Sequence, residues 1–349
     1  MLYTNGLAIS LDKREKGSDI DFVSHAHTDH MAAVRSTNNI LASSGTVDLI
    51  SSVHGIDLSG KEAQVDGRIR MLDAGHIFGS KQLVVEDEIG GNKITYSGDF
   101  QMLPQKASLP IEVEDTDILI IDSTYPDPSH RFPDKEEVES LIQEWAESML
   151  KRGIVLFGAF ATGKAQELIK ILNEINVLPV VSKKISIVNK AYERGGVDLD
   201  YCSAYDDESE YGAVTRGNFV GITEKNSLRE LKGMLGTAYK KEVFTAVATG
   251  MVDRTTFDAE ARFVLSDHAD FYQSTEYIDA TCARKVLTYG PNASAFAMNL
   301  SKHGYDAMPF SKWSQKGTAK SIVDGSEKVT PTNGTSSQNF YARQQQGCI

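Results

Sequence analysis

The sequence predicts an α/β protein, on three observations. Residues 1–100 carry short strand-like runs punctuated by Gly, Asn and Asp, with occasional helical stretches, the clearest being Thr46–Val53. From about residue 130 to 262, apolar strand runs alternate with amphipathic helical patterns, as in strands joined by helical crossovers. Between them lies Asp117-Ile118-Leu119-Ile120-Ile121, an unbroken apolar run of the kind shown by a strand buried on both faces.

Taken in order, the early strand runs are Leu7–Leu11, Ile20–His25, Arg68–Leu72, Gln82–Glu86 and Lys93–Tyr96. The second runs into Ser24-His25-Ala26-His27-Thr28-Asp29-His30, beyond which Asp29 through Val34 read as a helix. Several runs end on a polar residue: Asp12 after the first, His76 after Ala74-Gly75, Asp99 after Tyr96-Ser97-Gly98, and Asp122 after the long apolar strand. Side chains placed at strand ends beside a core are held by rigid elements, which a metal site needs.

A helix opens near Pro133: Val138, Leu141, Ile142, Trp145 and Met149 share one face, Asp134, Glu136 and Glu137 suit its N-terminal dipole, and Gly153 stops it. Strand Ile154–Phe157 feeds the run Gly158–Ala165 and a helix over Gln166–Leu172, followed by strands at Val177–Val181, Phe219–Thr223 and Val243–Ala248. After Phe263-Val264-Leu265 come Ser266-Asp267-His268-Ala269-Asp270, a helix near Gln273–Ala280 and a strand at Lys285–Tyr289. From about Gly317 the chain is rich in Ser, Thr, Gly, Asn and Gln, a disordered composition.

With 349 residues, 41% hydrophobic and 24% charged, the chain has the makings of a globular protein with a sizeable core. No apolar run is long enough to span a bilayer and no signal peptide opens the chain, so the expectation is a cytoplasmic protein that does not engage membranes. Cys202, Cys282 and Cys348 are odd in number and far apart, which predicts no disulfide framework. The net charge of −12 argues against indiscriminate duplex binding, although bound cations would offset it locally.

The stretch from His25 to His30 packs four potential metal ligands together. At a two-residue period His25 and His27 leave the strand on one face, and Asp29 and His30 follow on the next turn. Neutral imidazole and carboxylate oxygen suit a pair of zinc ions. A lone His is more often a core residue, but costly polar groups rarely converge without a partner. His54, His130 and His303 have no ligand-like neighbours and carry no expected role.

The run Gly158–Ala165 matches GxxxxGK, yet Ala165 stands where a magnesium-binding Ser or Thr belongs and the acidic strand end Asp122 precedes it, so nucleotide-triphosphate hydrolysis is disfavoured. Backbone N–H groups at that helix start, with Lys164, offer a grip for a nucleic-acid phosphate; a plain tight turn is an equal reading.

His25-x-His27-x-Asp29-His30, His76 and Asp99 together resemble the metal-ligand set of the metallo-β-lactamase superfamily, and Asp122, Ser266-Asp267-His268 and Tyr289-Gly290 resemble the extra motifs of its β-CASP branch of RNA and DNA nucleases. The resemblance implies an αββα metallo-β-lactamase sandwich, residues 1–130 and 263–315, with an inserted α/β β-CASP domain over 131–262 and a disordered tail at 316–349. It implies that His25, His27 and His76 hold one zinc, that Asp29 and His30 hold a second, and that Asp99 bridges. Asp122 would orient His268 toward the scissile phosphate, and Asp12 would support the ligand loop from behind. Where RNA-processing members carry a His ligand to the second metal this sequence has Tyr289, so the second ion, zinc or manganese, is expected to bind more weakly.

The implied function is metal-dependent hydrolysis of single-stranded RNA or DNA, 5′ to 3′ from an end. Paired metals supply a nucleophile and charge, and His268, kept protonated by Asp122, supplies a proton. The alternatives are a thioesterase-type small-molecule hydrolase of the same superfamily, which has no need of the inserted domain, and a catalytically silent nucleic-acid-binding subunit, which would lack several ligands.

Overall fold

The computed structural model describes residues 1–35, 39–203, 205–250 and 258–313. The described chain begins with β1 (Leu2–Thr4) and β2 (Leu7–Leu11), a hairpin turned by Asn5-Gly6, both at positive φ as a two-residue hairpin requires. Next come β3 (Ile20–Phe22), β4 (Ile40–Leu41) and α1 (Ser44–His54), which Ser43 caps by accepting from the Thr46 amide. β5 (Ile69–Asp73), β6 (Lys81–Asp87), β7 (Asn92–Tyr96) and β8 (Ile118–Asp122) follow.

The chain continues through α2 (Lys135–Leu150), β9 (Ile154–Ala159), α3 (Lys164–Asn173), β10 (Val180–Val181), α4 (Lys183–Arg194), α5 (Glu208–Val214), β11 (Val220–Glu224), α6 (Leu228–Tyr239), β12 (Val243–Ala248) and β13 (Ala261–Phe263). It closes with α7 (Phe271–Ala280), β14 (Lys285–Tyr289), α8 (Ala293–Lys302) and β15 (Ala307–Pro309). The fold is mixed α/β, as the sequence predicts.

The described residues form three sheets: β1-β2-β3-β4, β15-β14-β8-β7-β6-β5, and an all-parallel β10-β11-β9-β12-β13. The first two share a core in which Ile9, Leu11 and Phe22 meet Leu83, Val85, Tyr96 and Ile120. The other face of the six-stranded sheet, through Leu119, Ile121 and Val286, packs on Phe271, Tyr277 and Ile278 of α7 and Phe296 and Leu300 of α8. β8 therefore reads as a continuous apolar run because successive side chains fill two different cores.

The parallel sheet is likewise covered twice. Val155, Phe157 and Ala246 join residues of α2, α3, α4 and α1 in one large core, while Leu156, Val243 and Val247 pack with Leu228 of α6 on the other side.

Local departures from the predicted elements have identifiable causes. β3 stops at Phe22 because the Ser24 amide is taken by the Asp12 carboxylate at 2.6 Å instead of a neighbouring strand. The helix expected over Asp29–Val34 is a 3-10 turn at Thr28–His30 followed by further turns, closed by bonds from His30 N to His27 O and from Val34 N to Met31 O. α7 starts two residues early because Asp270 and Gln273 form a reciprocal cap. Cys202 is a buried free thiol, and Cys348 lies outside the described residues. The tail expected to be disordered, 316–349, lies outside the described residues. Among the described residues no helix is long and apolar enough to cross a membrane.

Candidate metal centre

The histidine stretch is built around Asp12. This residue sits at the end of β2 in a left-handed conformation, with φ 55°. Its carboxylate accepts from the Ser24 amide at 2.6 Å, the Ser24 hydroxyl at 2.7 Å, the Tyr96 hydroxyl at 2.7 Å and His30 Nδ1 at 2.9 Å. Gly98, at φ 56°, lets the β7 end close on the same spot, since a Cβ there would stand 2.7 Å from Ser24 Cβ. Ser24, His30 and Tyr96 are thus tied by four hydrogen bonds to one buried carboxylate, and the chain after Ser24 leaves in a fixed direction.

That direction brings three imidazoles together. The ring centroids of His25 and His27 are 4.7 Å apart, those of His25 and His76 are 4.7 Å apart, and those of His27 and His76 are 5.0 Å apart. Each ring has one nitrogen engaged from outside the cluster. His76 Nδ1 donates to the Asp267 carbonyl at 2.6 Å, His25 Nδ1 lies 2.9 Å from the Ser24 hydroxyl, and His27 Nε2 faces the Thr162 carbonyl at 3.4 Å. The inward nitrogens are then bare lone pairs, with His76 Nε2 3.2 Å from His27 Nδ1 and His25 Nε2 buried without any hydrogen-bond partner.

Burial lowers the pKa of His25 and His27 and brings that of His76 down to about 3, so all three rings are neutral. Converging lone pairs repel unless a cation sits among them, and outward N–H groups held by carbonyl or hydroxyl oxygens are the usual support of ligating imidazoles. Asp99 completes the group: His25, His27, His76 and Asp99 offer ligand atoms all within 4.8 Å of one another. The residues present fit a metal ion.

His30 occupies the next position. Its Nε2 is 3.3 Å from Asp99 Oδ2, while Nδ1 is held by Asp12, so the ring lies between two carboxylates. Burial opposes charge there, but Asp99 and Asp12 outweigh it and raise His30 to about 12. Asp99 in turn is held well below the usual carboxylate range, since His30 and the other rings overcome its burial. Asp29 stands apart, with a side chain 83% exposed that reaches the site through a 3.7 Å approach to His30 Nε2.

On the far side of Asp99 is His268, whose ring centroid is 4.6 Å from that of His76. His268 Nδ1 is buried and lies 3.4 Å from Asp122 Oδ2 and 3.9 Å from Asp99 Oδ2. Burial alone would lower His268, yet Asp122 and Asp99 raise it above its ordinary value. Asp122 is itself raised, first by burial and then by Asp99, and its Oδ1 is fixed by the amide and hydroxyl of Thr124 at 3.1 and 2.9 Å.

Two expectations are corrected. Lys164 does not present its ammonium to a phosphate: it is 6% exposed and ion-paired with Asp267, itself 5% exposed. Tyr289 is not turned to a metal, for its hydroxyl donates to the Leu11 carbonyl at 2.6 Å and its ring packs on Tyr96 and Phe310. The sequence reading also missed residues that hold ligands without ligating. Ser24 and Asp267 lie inside motifs already singled out but their supporting contacts carry no signal of their own, Thr162 lies in no ligand motif, and Asp267 and Thr162 meet the histidines only through long-range contact.

Comparison with known proteins places this arrangement. No family model matches the chain. It is 28% identical over 298 residues to a probable DNA ligase of Opitutus terrae, covering 82% of this chain and 28% of that protein. It is 30% identical over 188 residues to an RNase J-like protein of Methanocaldococcus jannaschii, covering 46% of this chain and 44% of that one. An uncharacterized protein from the lig 3′ region of Acidianus ambivalens is 37% identical over 136 residues, 38% of this chain and 93% of that one. The chain thus spans less than half the length of the first two relatives. A protein of unknown function from Enterococcus faecalis V583 has a related fold, with a TM-score of 0.52 at 13% identity over 81% of this chain and 78% of that one. With its histidine cluster, its Asp122–His268 pair and these relatives, the chain belongs to the metallo-β-lactamase superfamily, in the β-CASP nuclease branch.

Proposed function

We propose that the chain is a metal-dependent nuclease that hydrolyses phosphodiester bonds of single-stranded nucleic acid from a 5′ end, with two zinc ions, the second weaker and exchangeable for manganese. The observation that carries this reading is the set of neutral imidazoles around Asp99, with the Asp122–His268 pair adjoining it. Residues 1–130 and 263–315 would form the αββα metallo-β-lactamase sandwich and residues 131–262 the β-CASP insertion, in keeping with the parallel sheet of β9 to β13.

His25, His27, His76 and Asp99 would hold the first ion, and His30 with Asp99 would hold the second, with Asp29 swinging in from solvent. Metal ions so held would supply activation of a water nucleophile at neutral pH and positive charge for the developing oxyanion. The chain's own residues do the rest. Asp122, 3.4 Å from Nδ1 of His268, would hold that side of the imidazolium and leave the proton at Nε2 for the departing oxygen of the cleaved strand. Asp12 keeps Nδ1 of His30 protonated and its ring aligned, and the Asp267 carbonyl does the same for His76.

RNA is supported by the RNase name of the M. jannaschii relative and DNA by the ligase name of the O. terrae relative. Digestion of matched RNA and DNA oligonucleotides, labelled at either end, in linear and circular forms, beside a thioester panel, tests the proposal. Cleavage of linear single strands with release of nucleotides from the 5′ end is expected. Efficient cleavage of circles would replace the exonuclease with an endonuclease, and thioester turnover without oligonucleotide cleavage would overturn the reading.

A further inference from the structure

We propose that Phe160, with Lys225 against its ring, is a stacking platform for one base of a single-stranded nucleic acid entering the metal centre. The inference deepens the nuclease reading and rests on it.

Phe160 immediately follows the last residue of β9, in a segment whose other members are packed away. Ala159 is 1% and Ala161 8% exposed, whereas Phe160 is 43% exposed. Two residues on, the Thr162 carbonyl faces His27 Nε2 at 3.4 Å, so the segment that carries Phe160 runs to the edge of the histidine cluster. Lys225 Nζ stands 3.5 Å from the ring centroid and Lys164 Nζ 5.3 Å from it. With Lys164 committed to Asp267, the ring and the Lys225 ammonium against it match the two halves of a nucleotide, a π face and a phosphate, and a base of any identity can stack on such a ring.

The topology puts this pair where parallel sheets bind ligands. β9 lies between β11 and β12, the chain passing to β10 and β11 on one side and to β12 and β13 on the other. The crevice at the carboxyl ends of strands that part in this way is the usual ligand site. Phe160 follows β9 and Lys225 follows β11 at that end. Gly158 permits the approach, because a Cβ there would stand 3.3 Å from Lys225 Cα and from a Leu228 methyl.

The test is the kcat/KM of the full, metal-loaded chain on a single-stranded oligonucleotide, and on the same strand with one abasic position walked through the nucleotides nearest the cleavage point. Phe160→Ala and Phe160→Leu should each lose about tenfold to a hundredfold on the intact strand, the loss of one base–aromatic stack, and Phe160→Trp should retain activity. At one position the abasic strand should cost the unaltered protein a similar factor and cost Phe160→Ala nothing further. Lys225→Gln should lower the slope of log affinity against log salt by about 0.7, the share of one phosphate contact on a single strand. Activity of Phe160→Ala within twofold of the unaltered protein, or losses that multiply at every abasic position, would overturn the inference while leaving the nuclease reading intact. Failure of the unaltered protein to cleave any strand, RNA or DNA, would overturn both.

Discussion

His76 donates its Nδ1 proton to the main-chain carbonyl of Asp267 across 2.6 Å, although 191 residues separate them in the chain. The carboxylate of the same Asp267 pairs with Lys164 at the start of α3. One residue therefore holds a candidate ligand with its backbone and the parallel-sheet segment with its side chain.

Breaking that pair should be costly. Lys164→Met leaves the buried Asp267 carboxylate without its partner, a change that typically costs ~3–5 kcal/mol, and the Lys164→Met/Asp267→Leu double variant should recover much of it. Urea unfolding measures both; a single variant as stable as the unaltered protein contradicts the account. The pair also sets a pH dependence. Asp267 is buried, but Lys164 and the neighbouring rings hold its pKa below the usual range. A depressed carboxylate contributes stability that is fully present above about pH 4 and is lost as pH falls below it. The acid limb of the unfolding curve should be shallower in the double variant.

His76→Ala and His268→Ala should fail in different ways. The first removes an inward lone pair of the cluster and should lose metal on gel filtration. The second should keep metal and oligonucleotide affinity and lose ~10²–10⁴-fold in rate. Asp122→Asn should resemble His268→Ala, and the two losses should fall well short of multiplying, as for groups acting together. Loss of zinc from His268→Ala would make it a ligand and remove the proton-donor role.

Asp12→Asn should uncouple the second ion from the first. The substitution weakens the acceptor of His30 Nδ1 directly and reaches His25 only at one remove, through Ser24, so affinity for the second equivalent should fall by the larger factor, roughly 10–100-fold. Competition with a chromophoric chelator reads the two steps separately. Equal weakening of both steps would show that Asp12 supports the whole loop and not His30 in particular.

Tyr289→Phe tests the corrected position of that side chain. It deletes the hydrogen bond to the Leu11 carbonyl and should cost about 0.5–1.5 kcal/mol in urea unfolding. Metal content, expected nearer one than two equivalents without added metal, should not change. A fall in bound metal would return Tyr289 to the ligand set.

The sequence by itself determined the site's ingredients. HxHxDH at a strand end, His76 and Asp99 after short strands, and Asp122 and His268 later in the chain were legible because ligand chemistry selects residue types and because strands present side chains at a fixed two-residue period. β8 and α2 were legible for a like reason: a strand buried on both faces is uniformly apolar, and a helix buried on one face repeats every three to four residues. What only the tertiary structure decided is which way each side chain is committed. Lys164 and Tyr289 look available in one dimension, yet one is drawn to Asp267 and the other to Leu11, residues 103 and 278 positions away. The ring nitrogens that face inward were fixed by the carbonyls of Asp267 and Thr162. Every non-proline residue carries a main-chain donor and acceptor whatever its side chain, so a main-chain partner leaves no mark in the sequence, and only the folded chain reveals which carbonyl a histidine meets.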